Sequence, residues 1–376
     1  MSQPKIALDA RMWRAKTGGV SRYTQNLVTE LLKIDTTTNY TLILTPADAE
    51  ECHLKAKNLT IQVANIPHYS MAEQRELPKV LNAGNFDLVH FTTFNHPILY
   101  RRPFVCTVHD FIMHKYPSGG QKNSLVRSLA YRATMRDIRR AKAIIVPSEA
   151  TKRDLIQLLH VQPQQVTVTL EGAGAELFHP HTQAEISAVR KKYALPARFL
   201  LFVSRLEAYK GIAELIAAYK NLLPEFPDLG LCITGTASAQ NPEMIRLLKQ
   251  EQHAYPGIIT PGFVPDADLG ALYSAASVFV HPSWYEGFGI IILEAFASQV
   301  PVVTSNISSL PEVAGDAAIL VNPHEPKEIT AAIRDILNDP GLAAALVKKG
   351  TARCADFSWE KMATETHALY MEALGG

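Results

Sequence analysis

Short apolar runs alternate with amphipathic stretches along most of this chain. The runs at 5–10, 40–45, 87–91, 104–108 and 143–147 are near-continuously hydrophobic, as strands covered on both faces are. Between them lie patterns of helical period, such as Val20 to Lys33 and Ser124 to Arg140. This order predicts parallel βαβ units. The pattern weakens over 178–197, which is rich in Pro, His and charge, and restarts at 199–204, 229–234, 277–281, 301–304 and 318–321. The expectation is an α/β chain of two doubly wound, Rossmann-like domains, 1–183 and 184–357. A last helix pattern over 358–376 sets Trp359, Met362, Thr366, Leu369 and Met371 on one stripe.

A chain of 376 residues exceeds the size at which a single core usually keeps growing, which agrees with two domains. The net charge of +1 hides an asymmetry. Residues 1–183 carry 22 Lys and Arg against 15 Asp and Glu, so the first half suits an anionic partner. No apolar run approaches the ~20 residues that span a bilayer, and no signal peptide is visible before the first strand. Cys52, Cys106, Cys232 and Cys354 are scattered without a CxxC pair, so buried free thiols, a reducing cytoplasm and no structural metal are expected.

Doubly wound sheets bind ligands beyond the C-terminal ends of their strands, so the residues that follow each strand hold the candidate chemistry. After 277–281 comes Pro282-Ser283-Trp284-Tyr285-Glu286-Gly287-Phe288-Gly289, then an apolar helix pattern from Ile290. Gly287 and Gly289 would let backbone N–H groups approach a ligand at that helix N-terminus. Glu286 points a carboxylate at the same place, and Glu294 lies one turn into the helix, where a carboxylate needs a partner. A glycine turn with an ion-paired glutamate is the plainer alternative. After 199–204 come Arg205 and Lys210, placed to clamp a diphosphate or to lie in a solvated loop. In the first half, Gly18-Gly19 follows the first strand without forming GxGxxG, which argues against a dinucleotide site. His109 ends the run 104–108 and is either a reacting or a structural histidine.

Together these residues resemble a family. The string 286–294, EGFGIIILE, matches the E-x7-E element of retaining glycosyltransferases of family 4 (GT4), which have the GT-B fold of two domains facing across a cleft. Gly18-Gly19, TVHD at 107–110, PSEATKRDL at 147–155, SRLEAYKG at 204–211, PGFVPDADL at 261–269 and FSW at 357–359 follow in the family's order. The resemblance implies that Glu286 contacts the donor sugar and that Gly287, Phe288 and Gly289 present backbone groups to its hydroxyls. It places Glu294 on the ribose, Arg205 and Lys210 on the diphosphate, His109 by the transferred sugar and Gly18-Gly19 by the phosphates. It also implies a last helix that crosses back to the first domain.

Three positions depart from the family: Ile291-Ile292-Leu293 where Pro and Leu are common, Gln299 where Gly is usual, and Ser309-Leu310 where Gly-Gly is common. The last, with LDAR and GGVSRY near the start, is most similar to bacterial mannosyltransferases of surface polysaccharide assembly. The expected partners are therefore a nucleotide-sugar donor, GDP-mannose being favoured, and a saccharide or lipid-linked acceptor. No cofactor, metal or nucleic acid is expected. A nucleotide-sugar epimerase, a glycoside phosphorylase or a non-catalytic sugar-binding protein are the competing readings.

One further segment attracts attention. From Gln121 to Lys142 the chain holds Lys122, Arg127, Arg132, Arg136, Arg139, Arg140 and Lys142 against the single acid Asp137, with Leu125, Leu129 and Ile138 at helical spacing. Two readings follow: a core-packed helix with a solvated basic face, or a face that docks on anionic lipid at the inner surface of a membrane.

Overall fold

The computed structural model describes residues 3–14, 18–117, 125–174, 177–236 and 242–375. It contains two compact units: 1–171 with 358–376, and 172–357. In the first, strands β1 (Lys5–Asp9), β2 (Asn39–Leu44), β3 (Leu59–Val63), β4 (Leu88–Phe91), β5 (Phe104–Thr107), β6 (Ala143–Val146) and β7 (Val166–Val168) lie in the order β3-β2-β1-β4-β5-β6-β7. In the second, β8 (Phe199–Val203), β9 (Gly230–Thr234), β10 (Ile258–Gly262), β11 (Val278–His281), β12 (Val302–Ser305) and β13 (Ile319–Val321) lie in the order β10-β9-β8-β11-β12-β13. Every pairing is parallel.

The central strands are buried on both faces, which explains their unbroken hydrophobicity. The strand order reverses between β1 and β4 in one sheet and between β8 and β11 in the other. Beyond the carboxyl ends of such strand pairs the backbone diverges and leaves a crevice. The loops that carry the candidate residues leave these strands: Gly18 follows β1, Arg205 and Lys210 follow β8, and Glu286 follows β11.

The unit boundary falls at 171/172 rather than the expected 183/184. Phe178 explains the difference, because its ring packs edge-on against Tyr273 at 5.6 Å and ties this segment to the second unit. The weak pattern that follows contains a helix, Gln183–Lys192, started by a capping box in which Thr182 and Glu185 satisfy each other's backbone N–H groups.

The last helix, Trp359–Gly375, packs in the first unit against the helix Gly19–Ile34. Its buried stripe runs through Trp359, Met362, Ala363, Thr366 and Tyr370, whereas Leu369 and Met371 are half-buried. Tyr370 lies on that stripe by helical period, and its buried hydroxyl meets His90 Nδ1 at 2.5 Å. His90 Nε2 meets Thr107 Oγ1 at 2.9 Å, and that hydroxyl meets Tyr23 at 2.9 Å. Burial pushes the His90 pKa down to about 3, so the imidazole is neutral at physiological pH.

The basic segment also differs from expectation. Its described part is a helix, Leu125–Asp137, followed by the single turn Ile138–Arg140, and Gln121 and Lys122 lie outside the described residues. Met135 and Ile138 are buried, but Leu125 and Leu129 are 77% and 56% exposed, so the expected apolar stripe does not pack in the core. Cys52, Cys106 and Cys232 are buried and all four cysteines are free.

The His90–Tyr370 contact yields a stability test. Tyr370→Phe leaves His90 Nδ1 buried with no hydroxyl opposite, which costs about 1–3 kcal/mol. Urea unfolding followed by a probe in the first unit should show a lower midpoint at unchanged slope. An unshifted midpoint would show that the contact contributes nothing.

Candidate functional site

The site of the second unit is built where β8 and β11 end. Gly211, at φ 73°, lies so close to the Pro282 carbonyl that a Cβ would sit 2.0 Å from its oxygen. The Trp284 N–H donates to the Tyr209 carbonyl at 2.7 Å. These contacts pin the loop after β8 against the loop after β11. They bring Lys210 to Glu286: the Lys210 ammonium donates to Glu286 Oε1 at 2.6 Å.

Glu286 has a second donor that the sequence reading missed. His281, the last residue of β11, places Nε2 2.7 Å from the same Oε1. Its ring is fully buried between Phe202 and Phe279, at centroid distances of 5.7 and 6.2 Å with ring planes 27° and 7° apart. Nδ1 has no hydrogen-bond partner among the described residues. Burial drives the Glu286 carboxyl towards neutrality, but Lys210 and His281 outweigh it and hold its pKa at about 2. Burial also lowers the His281 pKa, so a neutral imidazole donating Nε2–H to the carboxylate is the consistent state.

The backbone of Glu286 is clamped as firmly as its side chain. Ser308 accepts from the Glu286 N–H at 3.1 Å and donates to the Glu286 carbonyl at 2.6 Å. The Ser309 hydroxyl lies 2.7 Å from the Phe288 carbonyl and 3.0 Å from that of Glu286. A Gly-Gly pair at 309–310 could not supply this hydroxyl. Gly289 is required at its position: φ is 108° and an added Cβ would lie 2.8 Å from Leu310 Cδ2. It caps the helix Ile290–Ala297. The N–H groups of Phe288 and Gly289 have no acceptor among the described residues, so the helix start keeps free donors. Glu294, one turn further, is buried and accepts from the Tyr273 hydroxyl at 3.0 Å.

Arg205 does not join this cluster. It follows β8 in an exposed position, with no ion pair among the described residues. It is a solvated cation near a buried one, not half of a preformed clamp.

In the first unit, Gly18 has φ 72° and starts the helix Gly19–Ile34, its carbonyl accepting from Ser21 and Arg22. No side chain approaches a Cβ placed at Gly18 or Gly19 within 4 Å among the described residues, so the backbone there is open. His109 is engaged at both ring nitrogens: Nε2 lies 2.9 Å from the Thr92 carbonyl and Nδ1 3.5 Å from Glu171. Burial opposes its charge, but Glu171 prevails and the pKa is raised. Tyr23 covers its ring edge-on at 4.8 Å. Among the described residues no group of three or more His, Cys, Asp or Glu side chains could hold a metal ion.

Two family models match the chain in tandem. Glycosyltransferase Family 4 matches residues 17–173, and Glycosyl transferases group 1 matches 185–353. The chain is 35% identical to O-antigen chain mannosyltransferase B of Escherichia coli over 61% of its own length, and the match spans 60% of that protein. It is 26% identical to D-inositol 3-phosphate glycosyltransferase of Corynebacterium glutamicum, covering 95% of this chain and 92% of that one. Among solved structures, Anabaena HepE in complex with UDP-glucose superposes with a TM-score of 0.77 at 20% identity, over 98% of this chain and 99% of that one.

The Lys210–Glu286 pair gives the site its own test. A carboxyl held at about 2 when folded, against an ordinary value of 4.5, stabilises the second unit above pH 4.5 and loses that contribution as pH falls towards 2. Lys210→Met leaves a half-buried carboxylate with one side-chain donor, His281. Stability at neutral pH should fall by about 3 kcal/mol, and the loss between pH 4.5 and 2 should flatten. Wild-type acid unfolding in the variant would contradict the pairing.

Proposed function

From its membership of glycosyltransferase family 4, we infer that this chain transfers a hexose from a nucleotide-diphosphate sugar to a saccharide or lipid-linked acceptor, with retention at the anomeric carbon. The observation that carries the reading is the Glu286 carboxylate, half-buried, ionised and clamped at the switch point of the second sheet, beside the N–H groups of Phe288 and Gly289 that have no acceptor among the described residues. In the reaction the bond from the anomeric carbon to the diphosphate oxygen breaks, and its electron pair leaves on the diphosphate. The acceptor hydroxyl forms the new glycosidic bond and loses its proton. A fixed carboxylate suits the positive charge that develops on the sugar. Lys210, with Arg205 swinging in from solvent, suits the negative charge on the leaving group. With two cations available for that charge, we propose that no metal takes part.

The other assigned residues follow. Glu294, buried and bonded to Tyr273, is proposed to accept from the ribose hydroxyls. Gly287, Phe288 and Gly289 are proposed to meet the sugar hydroxyls with backbone groups. His109 is proposed to lie by the transferred sugar, with its ring position set by Thr92 and Glu171. Gly18 and Gly19 are proposed to approach the phosphates, since no side chain among the described residues obstructs them.

The donor proposed is GDP-mannose, on the likeness to the Escherichia coli mannosyltransferase. The first unit is proposed to dock on anionic lipid at the cytoplasmic face through the helix Leu125–Asp137, whose Leu125 and Leu129 are exposed beside its arginines. No described helix is long and apolar enough to cross a membrane.

Two measurements check the assignment. Glu286→Ala and Arg205→Ala should each lower transfer at least a hundredfold, the ~3 kcal/mol typical of one lost electrostatic contact, in protein that still folds. Near-normal transfer by either variant would remove that residue from the site. Melting temperature should rise with GDP, since a ligand at 100 times its Kd adds about 2.7 kcal/mol. Stabilisation by UDP and none by GDP would replace the proposed donor base.

A further inference from the structure

Three arginines line one cavity whose described lining holds no carboxylate. Arg132, Arg136 and Arg139 line a cavity of about 270 Å³ in the first unit, between the helix Leu125–Asp137 and the helix Glu149–Leu159. None of the three has an ion-pair partner among the described residues. The acid nearest in sequence, Asp137, is taken by His96, Arg101 and Arg140. The segment 118–124, which leads into the helix, contains no Asp or Glu. His114 and His160 add two further nitrogen-bearing rings to the same lining. Like charges gathered round one concavity repel one another, and an anion seated there relieves that repulsion.

The remaining lining is Phe111, Tyr131, Met135, Leu158 and Leu159, mostly apolar surface with one phenol. A soluble anion would have no use for such a floor. The helix supplies the continuation. At 100° per residue, Leu125, Leu129, Arg132 and Arg136 fall within about 60° of one another round the axis. All four are exposed. One face therefore carries two open leucines, then two arginines that lead into the cavity.

We propose that this cavity holds the phosphate head of an anionic lipid. The guanidinium groups grip the phosphate, whose two oxygens match the planar fork of Arg, while the hydrocarbon leaves along Leu125 and Leu129. Three cations suit a phosphomonoester or diphosphate, with a charge near −2, better than a singly charged diester. The inference rests on the reading that this helix faces a membrane, and it makes that contact selective for the headgroup.

The test uses the whole protein and short-chain lipids below their micelle concentration, by titration calorimetry. Dioctanoyl phosphatidic acid should bind at one per chain. Dioctanoyl phosphatidylcholine and inorganic phosphate should each bind at least tenfold more weakly. Arg132→Gln with Arg136→Gln should weaken phosphatidic acid tenfold or more, and Leu125→Ser with Leu129→Ser should weaken it while leaving inorganic phosphate unchanged. Equal binding of phosphatidylcholine would overturn the role of the arginines. Equal binding of inorganic phosphate would overturn the lipid. Indifference to the arginine substitutions, with circular dichroism confirming the fold, would overturn the cavity. Co-sedimentation with vesicles of 30% phosphatidylserine separates this from membrane docking. Vesicle binding without binding of the short-chain lipid leaves docking standing and overturns the cavity; binding of the short-chain lipid without vesicle binding overturns docking and, with it, the lipid role proposed for the cavity.

Discussion

A negative charge largely withdrawn from water needs a partner, and Glu286 has two. Lys210 reaches it from the loop after β8 and His281 from the last position of β11. The ion pair can form only because Gly211 lets the two loops approach to backbone contact. His281 can donate only because Phe202 and Phe279 hold its ring in the plane of the sheet's interior. Ser308 and Ser309 then fix the main chain from the loop after β12. Three stretches of chain, 202–211, 279–289 and 308–309, thus converge on one carboxylate. Such a cluster is costly to assemble and adds little stability compared with a well-packed apolar equivalent. Its orientation is what it supplies, and an oriented, ionised carboxylate beside free N–H groups is suited to a reaction that develops positive charge on a sugar.

This arrangement divides the cations into two kinds. Lys210 is buried and committed to Glu286, whereas Arg205 is exposed and uncommitted. A diphosphate arriving at this loop would meet Arg205 first and compete for Lys210 second. His281 keeps its hold on Glu286 through such an exchange, because a neutral imidazole is not drawn to phosphate as an ammonium is. Lys210 would thus be shared between carboxylate and diphosphate, while His281 serves the carboxylate alone.

Much of this was legible in the sequence, for physical reasons that differ by residue. The strands were visible because parallel strands buried on both faces leave long apolar runs. Glu286, Gly289 and Glu294 were visible because charge and glycine stand out against the apolar helix they border. His281 was not, since it closes the run SVFVH and reads as one more strand position; a histidine inside a continuous apolar run was the signal available. Ser308 and Ser309 act through hydroxyls on main-chain atoms, and pattern does not reveal such contacts. The helix Gln183–Lys192 was hidden by the polar composition round it, although Thr182-x-x-Glu185 marks its start. Leu125 and Leu129 had the spacing of a buried stripe, and spacing alone does not say which face turns to the core. Tyr370 lies on the buried stripe by helical period, at about 20° from Trp359 at 100° per residue, whereas Met371 lies far to one side; its hydroxyl is satisfied by His90.

The claim on which the rest depends is that the loops after β8 and β11 form the donor site. A crystal structure of the protein grown with GDP-mannose tests it most directly. The account predicts the ribose hydroxyls on Glu294, the diphosphate on Lys210 and Arg205, and the hexose against Glu286 and the N–H groups of Phe288 and Gly289. A nucleotide sugar bound elsewhere, or one whose diphosphate lies away from Lys210 while Glu286 contacts no sugar atom, would contradict it.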